Sequence, residues 1–190
     1  MVKFPSVALY VVVLAGFTLL VGLAWRAYPE PASTQLACQP HCRQAALEGH
    51  VLQGADLNRV DLTLANLNNS DLQRTTLLLA LLTGAMLRDA NLVETDFSNA
   101  RLDLADLRRA NLSDAVLRST DLRHADLRDA VLVKADLRAA QMNSVRLGRA
   151  DLRNALMDNA QLENAVLRRA DLSGADLRKA NLRYADLRFA

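Results

Sequence analysis

The chain has 190 residues and a net charge of +2, and 51% of its residues are apolar while only 4% are aromatic. Leu and Ala number 38 and 31, about 36% of the chain. This composition excludes a disordered chain and a strongly basic protein, and two cysteines are too few for a disulfide scaffold. A Leu- and Ala-rich chain with few aromatic residues is typical of a coiled coil, a helical bundle or a repeat protein.

The first predicted element is a membrane-spanning helix, because residues 4–25 contain no charged side chain. As an α-helix this segment measures about 33 Å, enough to cross a hydrocarbon core of about 30 Å. Trp25 and Tyr28 stand where interfacial aromatic residues are expected. We therefore expect an N-terminal transmembrane signal-anchor helix over residues 1–28. A cleaved signal peptide is the alternative, although its apolar core normally has only about 7–15 residues.

The orientation of this helix is predicted from the basic groups beside it. The amino terminus and Lys3 precede the span and Arg26 follows it. This small excess favours insertion with the amino terminus inside the cell. The protein would then be a single-pass protein of a bacterial inner membrane with its main domain in the periplasm. A domain that faces the cytoplasm is the alternative.

Residues 29–44 are predicted to form a polar linker that ends in a small cysteine cap. Its first seven residues include two prolines, a serine and a threonine, as in stiff linkers. Cys38 and Cys42 are the only cysteines, and an oxidising compartment would join them as a disulfide at the start of the folded domain. Free thiols are one alternative. A metal site that also uses His41 is another, but it lacks a clear fourth ligand.

From residue 45 onward the chain repeats a five-residue pattern without an insertion. The pattern has 29 central positions in steps of five from Leu47 to Leu187, and 26 of them are Leu. We number each pentad from −2 to +2 around this central residue, which is position 0. Position −2 is Ala in 22 of the 29 pentads, and position −1 is Asp or Asn in 16.

A five-residue period fits neither an α-helix nor a flat strand. On a helix each central Leu would advance by about 140°, so no apolar stripe would form, and on a strand successive leucines would alternate between faces. The chain buries every central Leu only if it turns once per pentad, so that four turns close a square coil of about 20 residues. A small residue then fits at position −2, and Asp or Asn at position −1 suits tight turns through local hydrogen bonds.

This pattern resembles the pentapeptide-repeat family, whose motif is written A-(D/N)-L-x-x; Ala125, Asp126 and Leu127 are one instance. The resemblance extends over residues 45–190. It implies an all-β fold, a right-handed quadrilateral β-helix, preceded here by the N-terminal transmembrane α-helix. About seven coils with a spacing of about 4.8 Å would give a solenoid about 34 Å long.

Charge is distributed unevenly along the predicted solenoid. Residues 45–107 carry 4 basic and 9 acidic side chains, a net charge of −5. Residues 108–190 carry 16 basic and 11 acidic side chains, a net charge of +5. The small charge of the whole chain therefore conceals an acidic half next to the predicted anchor and a basic half away from it.

One predicted face carries a column of arginines, which we call the basic ridge. Residues twenty apart stack on successive coils, which aligns these arginines, with Arg146 beside them and several Asp residues among them. A solvated ladder of Arg–Asp pairs is one interpretation. A docking surface for an acidic partner or for anionic lipid head groups is the other. The basic ridge comprises Arg88, Arg108, Arg109, Arg128, Arg149, Arg168, Arg169 and Arg188.

A second group of side chains is apolar at positions that should face outward, and we call it the apolar patch. Neighbouring coils bring these side chains together, which indicates a contact with a protein or a membrane. A patch that is covered locally, for instance by the linker, is the alternative. The apolar patch comprises Leu64, Leu78, Leu79, Leu81, Met86 and Leu104.

The repeats continue to the last residue, and Tyr184 and Phe189 lie in the final coil. The ends of solenoids expose unpaired backbone and usually carry a cap. No capping helix is predicted after the last repeat. We therefore expect Tyr184 and Phe189 to form an end-to-end contact, as in a homodimer joined through this end.

Catalytic groups are scarce in this sequence. The three histidines, His41, His50 and His124, belong to no nucleophile–base pairing and no metal-ligand spacing, and there is no Gly-rich phosphate loop. The sequence therefore predicts neither an enzyme nor a cofactor or metal site. The anchor and the apolar patch favour a membrane-anchored scaffold or accessory subunit that binds other subunits of a bacterial membrane complex.

The family resemblance implies one alternative function. Some pentapeptide-repeat proteins, those similar to the quinolone-resistance group, protect topoisomerases by presenting an acidic rod shaped like duplex DNA. The repeats of this chain are neutral in total and basic in their second half. A DNA mimic that modulates a topoisomerase is therefore the second hypothesis. Direct nucleic-acid binding is not expected, because the arginines alternate with Asp and lack stacking aromatic residues.

Overall fold

The computed structural model describes residues 36–190, and one repeated backbone step generates their fold. Each pentad contains one turn and one isolated β-bridge. The bridges join one residue of each pentad in parallel to the residue twenty positions later, from the pair His41 and Asp61 to the pair Val166 and Asp186. Within this part of the chain there is no helix and no extended strand. Residues 41–190 therefore form a four-sided β-helix of about seven and a half coils.

The four-sided β-helix predicted from the five-residue period is confirmed. The predicted transmembrane helix, residues 1–28, lies outside the described residues, and so do residues 29–35 of the predicted linker. Between residues 36 and 190 no helix has both the length and the apolar character that a membrane span requires.

Each face of the coil is identified by its central residues, which recur every twenty positions. Face 1 is centred on Leu47 and ends at Leu187, and faces 2, 3 and 4 include Leu52, Leu57 and Leu62. The central side chains of all four faces form one apolar core along the axis. All central residues from Leu57 to Leu167 are completely buried, as the period requires.

The hydrogen bonds of one pentad explain most of the motif. Position −2 donates its N–H to the central carbonyl of the pentad before it, which closes the turn. The N–H of position −1 donates to a main-chain carbonyl of the preceding coil. The N–H groups of positions 0 and +2 donate to main-chain carbonyls of the following coil. In the pentad of Leu57, for example, the central N–H lies 2.9 Å from the Thr76 carbonyl oxygen and the Arg59 N–H lies 2.8 Å from that of Leu78.

The N–H of position +1 is the one amide of the pentad that the described main chain leaves without an acceptor. All 16 Asp and Asn residues at position −1 accept a hydrogen bond from this N–H through Oδ1, at 2.9–3.5 Å. Asp or Asn is therefore favoured because its short side chain reaches back over the turn and satisfies this amide.

Buried threonines replace Ala at position −2 in three pentads. The hydroxyls of Thr75, Thr95 and Thr120 each donate to a main-chain carbonyl 23 residues earlier, at 2.7–2.8 Å. The Ser70 hydroxyl donates to the Leu67 carbonyl within its own turn, at 2.6 Å. These polar groups are therefore compatible with the core, because each has a hydrogen-bond acceptor.

The first coil begins inside the segment predicted as linker and cap. Cys42 occupies a central position of face 4, one pentad before Leu47, and only 1% of it is exposed. Its N–H donates to the Asp61 carbonyl at 2.8 Å. Cys38 and Cys42 form a disulfide. The disulfide therefore attaches Cys38, which precedes the first coil, to Cys42, which belongs to it.

Position +2 has a backbone conformation that most residues avoid. From Gln44 to Phe189, every residue at this position has a φ between +54° and +72°. Gly, Asn and Asp tolerate this left-handed conformation best, whereas other L-residues lose free energy in it. The coil itself therefore favours small or short polar residues at its corners.

Candidate functional site

The structure exposes five of the six residues of the apolar patch. Leu78 is the exception: its neighbours half-bury it, and its N–H donates to Asn58 Oδ1 at 2.8 Å. The exposed members are Leu64, Leu79, Leu81, Met86 and Leu104, with 37–61% of each residue accessible.

The centre of the apolar patch is the corner between faces 4 and 1. Leu64, Gly84 and Leu104 stack there in one column at position +2. A Cβ placed on Gly84 would lie 2.8 Å from Leu64 Cδ2, so the Leu64 side chain covers this glycine. Leu104 lies two coils from Leu64, a separation of about 10 Å. Met86 begins face 1 directly beside this corner.

The patch extends across face 4 to the corner before it. Leu79 occupies that corner, and Leu81 opens face 4 two residues later. Together with Leu64 and Leu104, Leu79 completes the set of leucines at position +2, with φ values of +58° to +62°. The left-handed conformation costs an L-residue about 1–2 kcal/mol. The fold does not require leucine at these three strained and exposed positions.

The basic ridge is mainly a ladder of ion pairs. Arg109 and Arg149 each donate two hydrogen bonds of 2.6–2.7 Å to Asp89 and Asp129, respectively, on the preceding coil. Five further ridge arginines donate to an Asp at position −1 of the same face. Each exposed pair contributes only about 0.2–1 kcal/mol to stability. The ladder mainly neutralises charges that would otherwise repel one another.

Arg169 is the ridge arginine without an acidic partner between residues 36 and 190. Its guanidinium carbon lies 6.0 Å from the centroid of the Phe189 ring. Tyr184 has a similar neighbour, since the Arg183 guanidinium carbon lies 5.3 Å from its ring centroid. The two aromatic residues are 73% and 83% exposed and occupy successive corners of the last coil. The structure therefore places the two aromatic side chains at different corners of the last coil, each close to the guanidinium group of an arginine.

Face 3 carries an acidic side chain bound by two arginines. Asp136 Oδ2 accepts hydrogen bonds from Arg138 Nη2 at 2.8 Å and from Arg118 Nε at 2.5 Å. Burial acts to raise the pKa of Asp136, but the hydrogen bonds from Arg138 and Arg118 outweigh it and lower the pKa to about 2. Asp136 is therefore ionised at any pH at which the protein is expected to work.

Sequence reasoning missed a gap in the basic ridge, which we call the notch. Gly148 occupies position +1 of face 1, where three earlier and two later coils have Arg. A surface cavity of about 340 Å³ lies at this gap. The sequence signal was present, because positions −1 of two successive coils, Arg146 and Val166, lack the usual Asp or Asn. The notch is lined by Arg128, Gly148, Arg149, Val166, Arg168, Arg169 and Phe189.

The part of the chain that the structure describes contains no group of His, Cys, Asp or Glu side chains arranged to hold a metal ion. The features that distinguish the surface are therefore the apolar patch, the ion-pair ladder of the basic ridge and the notch. All three lie on a rigid repeat scaffold and consist of side chains at positions −1, +1 and +2. This arrangement defines a repeat protein whose outer surface is available for binding.

The sequence match identifies the family. The family model described as Pentapeptide repeats matches residues 41–77, 79–114, 110–149 and 146–183, in eight copies. These segments cover most of the chain, and the chain belongs to the pentapeptide-repeat family. No curated protein sequence matches the chain.

The chain is also similar to solved structures. A trypsin-treated form of QnrB1, a plasmid-mediated fluoroquinolone resistance protein, is 20% identical over 77% of this chain and 74% of that chain, with a TM-score of 0.53. HetL, a pentapeptide repeat protein involved in heterocyst differentiation regulation from the cyanobacterium Nostoc sp. strain PCC 7120, is 30% identical over 77% of this chain and 86% of its own, with a TM-score of 0.24. The likeness to QnrB1 supports the fold alone.

The pH dependence of stability tests the arrangement around Asp136. The variant Asp136→Asn keeps an Oδ1 acceptor for the turn amide but loses the charge that Arg118 and Arg138 bind. Because the folded-state pKa of about 2 lies below the usual value, the ionised carboxylate stabilises the fold at neutral pH, and this contribution is lost as the pH falls from about 4 through about 2. We expect the variant to be less stable by about 1–2 kcal/mol at pH 7, with most of this difference lost at pH 2.

Chemical denaturation of the two proteins across this pH range measures the difference. Asp56→Asn is the matched control, because Asp56 occupies the same position of the same face and its side chain accepts hydrogen bonds only from the Asn58 N–H and the Thr76 hydroxyl within residues 36–190. It should change stability by less than about 0.5 kcal/mol at either pH. A loss in Asp136→Asn that does not depend on pH would contradict the two ion pairs.

Proposed function

We propose that this protein is a non-enzymatic, membrane-anchored scaffold or accessory subunit of a bacterial membrane complex. Its pentapeptide-repeat solenoid binds another protein through the apolar patch. The observation that carries this proposal is the presence of three exposed leucines at strained corner positions within one patch. These three leucines are Leu64, Leu79 and Leu104.

The energetics of these corners favour a role in binding. Each of the three leucines costs the free solenoid about 1–2 kcal/mol through its positive φ, and the exposed side chain recovers little of this by burial. A partner that covered one Leu side chain would recover about 1.5–3 kcal/mol. The strain is common to all non-glycine corners of the coil, and leucine becomes more favourable at these three in a complex, where the contact offsets it.

The charge around the apolar patch indicates the chemistry of the partner. The patch lies in the half of the repeats with a net charge of −5, residues 45–107. Asp103, directly before Leu104 at the edge of the patch, accepts a hydrogen bond from the Thr83 hydroxyl at 2.8 Å, and Arg101 Nη2 lies 3.6 Å from its Oδ1. Complementary charges accelerate association and exclude wrong partners. We expect the partner to present apolar side chains surrounded by Lys or Arg.

Membrane anchoring is the second part of the proposal. We infer that residues 1–28 form a single-pass anchor with the amino terminus in the cytoplasm and the repeats in the periplasm. The uncharged segment of residues 4–25 supports a membrane span. The disulfide between Cys38 and Cys42 supports an oxidising compartment for the repeats.

A DNA mimic that modulates a topoisomerase is the second candidate, and the charge of this solenoid argues against it. Duplex DNA carries one unpaired negative charge per about 1.7 Å of its axis. Here the net charges of the two halves, −5 and +5, cancel. Aspartates of the ladder, such as Asp89 and Asp129, are also bound by arginines. Protection of DNA gyrase by the purified full-length chain in a supercoiling assay would favour this candidate over the scaffold.

The double variant Leu79→Asn/Leu104→Asn tests the role of the apolar patch. Asn tolerates a positive φ better than Leu does, so we expect the variant to be as stable as the original protein or more stable by about 0.5–1 kcal/mol. It should nevertheless lose its protein partner, because the apolar contact is removed. Purification of the tagged full-length protein in mild detergent, followed by mass spectrometry and thermal unfolding, measures both effects.

Lys134→Asn is the matched control for this experiment. Lys134 is exposed and occupies the same turn position, with a φ of +59°, but lies outside the patch. Its replacement should leave the recovered partners unchanged. If the double variant retains the same partners in the same amounts as Lys134→Asn, the apolar patch is not the binding surface.

Protease accessibility in intact cells and spheroplasts tests the proposed location. A protease added to spheroplasts should digest the repeats, or a tag attached after them, while a cytoplasmic marker protein remains intact. The chain should also remain in the membrane pellet after a carbonate wash, as integral proteins do. Protection of the repeats in spheroplasts would place them in the cytoplasm and contradict the proposed orientation.

A further inference from the structure

The ion-pair ladder of face 1 is interrupted at the notch. Position −1 is Arg146 in one coil and Val166 in the next, whereas the coils on either side of these two have Asp at this position. Gly148 also leaves a gap in the arginine column at position +1. Two successive coils therefore lack a ladder carboxylate at the place where the surface is indented.

The interruption leaves two main-chain amides at the notch without acceptors, as in nine others of the 29 pentads of the described solenoid. In 16 pentads an Asp or Asn at position −1 accepts a hydrogen bond from the N–H of position +1. The N–H groups of Gly148 and Arg168 have no acceptor among residues 36–190. Because the backbone repeats, these amides point outward as the others do, and both residues line the notch.

Guanidinium groups add further donors at the same place. Arg168 binds Asp186 through Nε alone, so the four N–H bonds of its two Nη atoms remain available. Arg169 has no acidic partner in the described part of the chain and lies against the Phe189 ring, which holds it at the edge of the notch. Phosphate and carboxylate oxygens are the acceptors that the planar guanidinium group binds best.

The positive charge of face 1 is concentrated around the notch. The four pentads of this face centred on Leu127 to Leu187 carry six basic and three acidic side chains, a surplus of three positive charges. The four pentads centred on Leu47 to Leu107 carry three of each. The ladder therefore neutralises the first half of the face completely and leaves the surroundings of the notch positive. A ligand with two negative charges would complement this surplus of positive charge.

We infer that the notch binds a small organic phosphate. The phosphate takes the place of the missing ladder carboxylates and accepts hydrogen bonds from the amides of Gly148 and Arg168. The apolar part of the ligand lies against Val166, which is 37% exposed, and Phe189. A cavity of about 340 Å³ matches a small molecule rather than a protein surface. A lipid head group shares the phosphate chemistry and is distinguished by the test below.

Isothermal titration of the full-length protein with phenyl phosphate tests this inference. We expect saturable binding with one site per chain. Arg169→Gln should weaken it at least tenfold. Gly148→Leu should weaken it at least tenfold, because the Leu side chain would occupy part of the notch beside the two amides. The variant should fold normally, because a Cβ on Gly148 meets its nearest atoms only at 3.7 and 3.8 Å. Arg109→Gln is the matched control, because Arg109 occupies the same position in the neutral half of face 1 and should leave binding unchanged.

Two further probes identify the part of the ligand that is recognised. Inorganic phosphate should bind the same site more weakly than phenyl phosphate, because it cannot contact Val166 and Phe189. Co-sedimentation with phosphatidylglycerol vesicles that depends on Arg169, without binding of phenyl phosphate, would assign the notch to a lipid head group and overturn the inference. The absence of saturable phenyl phosphate binding, or an equal loss in Arg109→Gln and Arg169→Gln, would overturn it as well.

Discussion

The parallel pairing of successive coils, in which position −1 of each pentad forms a β-bridge with the residue twenty positions later, is the interaction on which the rest of this structure depends. In the inner coils it uses three of the five N–H groups of each pentad, and a fourth closes the turn. The coil therefore demands little of the sequence: an apolar residue at position 0 and a small one at position −2, with an Asp or Asn acceptor for the remaining amide in 16 of the 29 pentads. Positions −1, +1 and +2 otherwise remain free to vary, and they form the outer surface. A protein built in this way can change its binding surface without changing its fold.

The surface features with a proposed role are places where the sequence departs from what the coil favours. Leu64, Leu79 and Leu104 occupy corners that suit Gly or Asn, and Arg146 and Val166 replace the turn-capping Asp. Natural proteins commonly break local structural rules at functional sites and compensate for the cost elsewhere. Here the long apolar core and the continuous main-chain pairing supply that compensation. A few strained corners and uncapped amides cost far less than the fold as a whole contributes.

Much of the fold could be predicted from the sequence, because period and residue size alone determine which side chains face the axis. The same reasoning placed Leu104 outside and Leu107 inside, although they lie three residues apart. The contacts between side chains on the surface could not be predicted. Arg109 reaches the preceding coil to bind Asp89, and neighbouring coils half-bury Leu78. Such contacts depend on rotamers and on residues twenty positions away, which a linear pattern does not specify.

The exchange rates of the backbone amides test the central claim about the coil most directly. Arg128 and Arg168 both occupy position +1 of face 1, but Asp126 caps the first amide and Val166 cannot cap the second. Hydrogen exchange of the full-length protein, followed by NMR, should show slow exchange at positions −2, −1, 0 and +2 of the inner coils. At position +1 it should be slow for Arg128 and fast for Arg168 and Gly148. Equal exchange at Arg128 and Arg168 would contradict the proposed role of the Asp and Asn side chains.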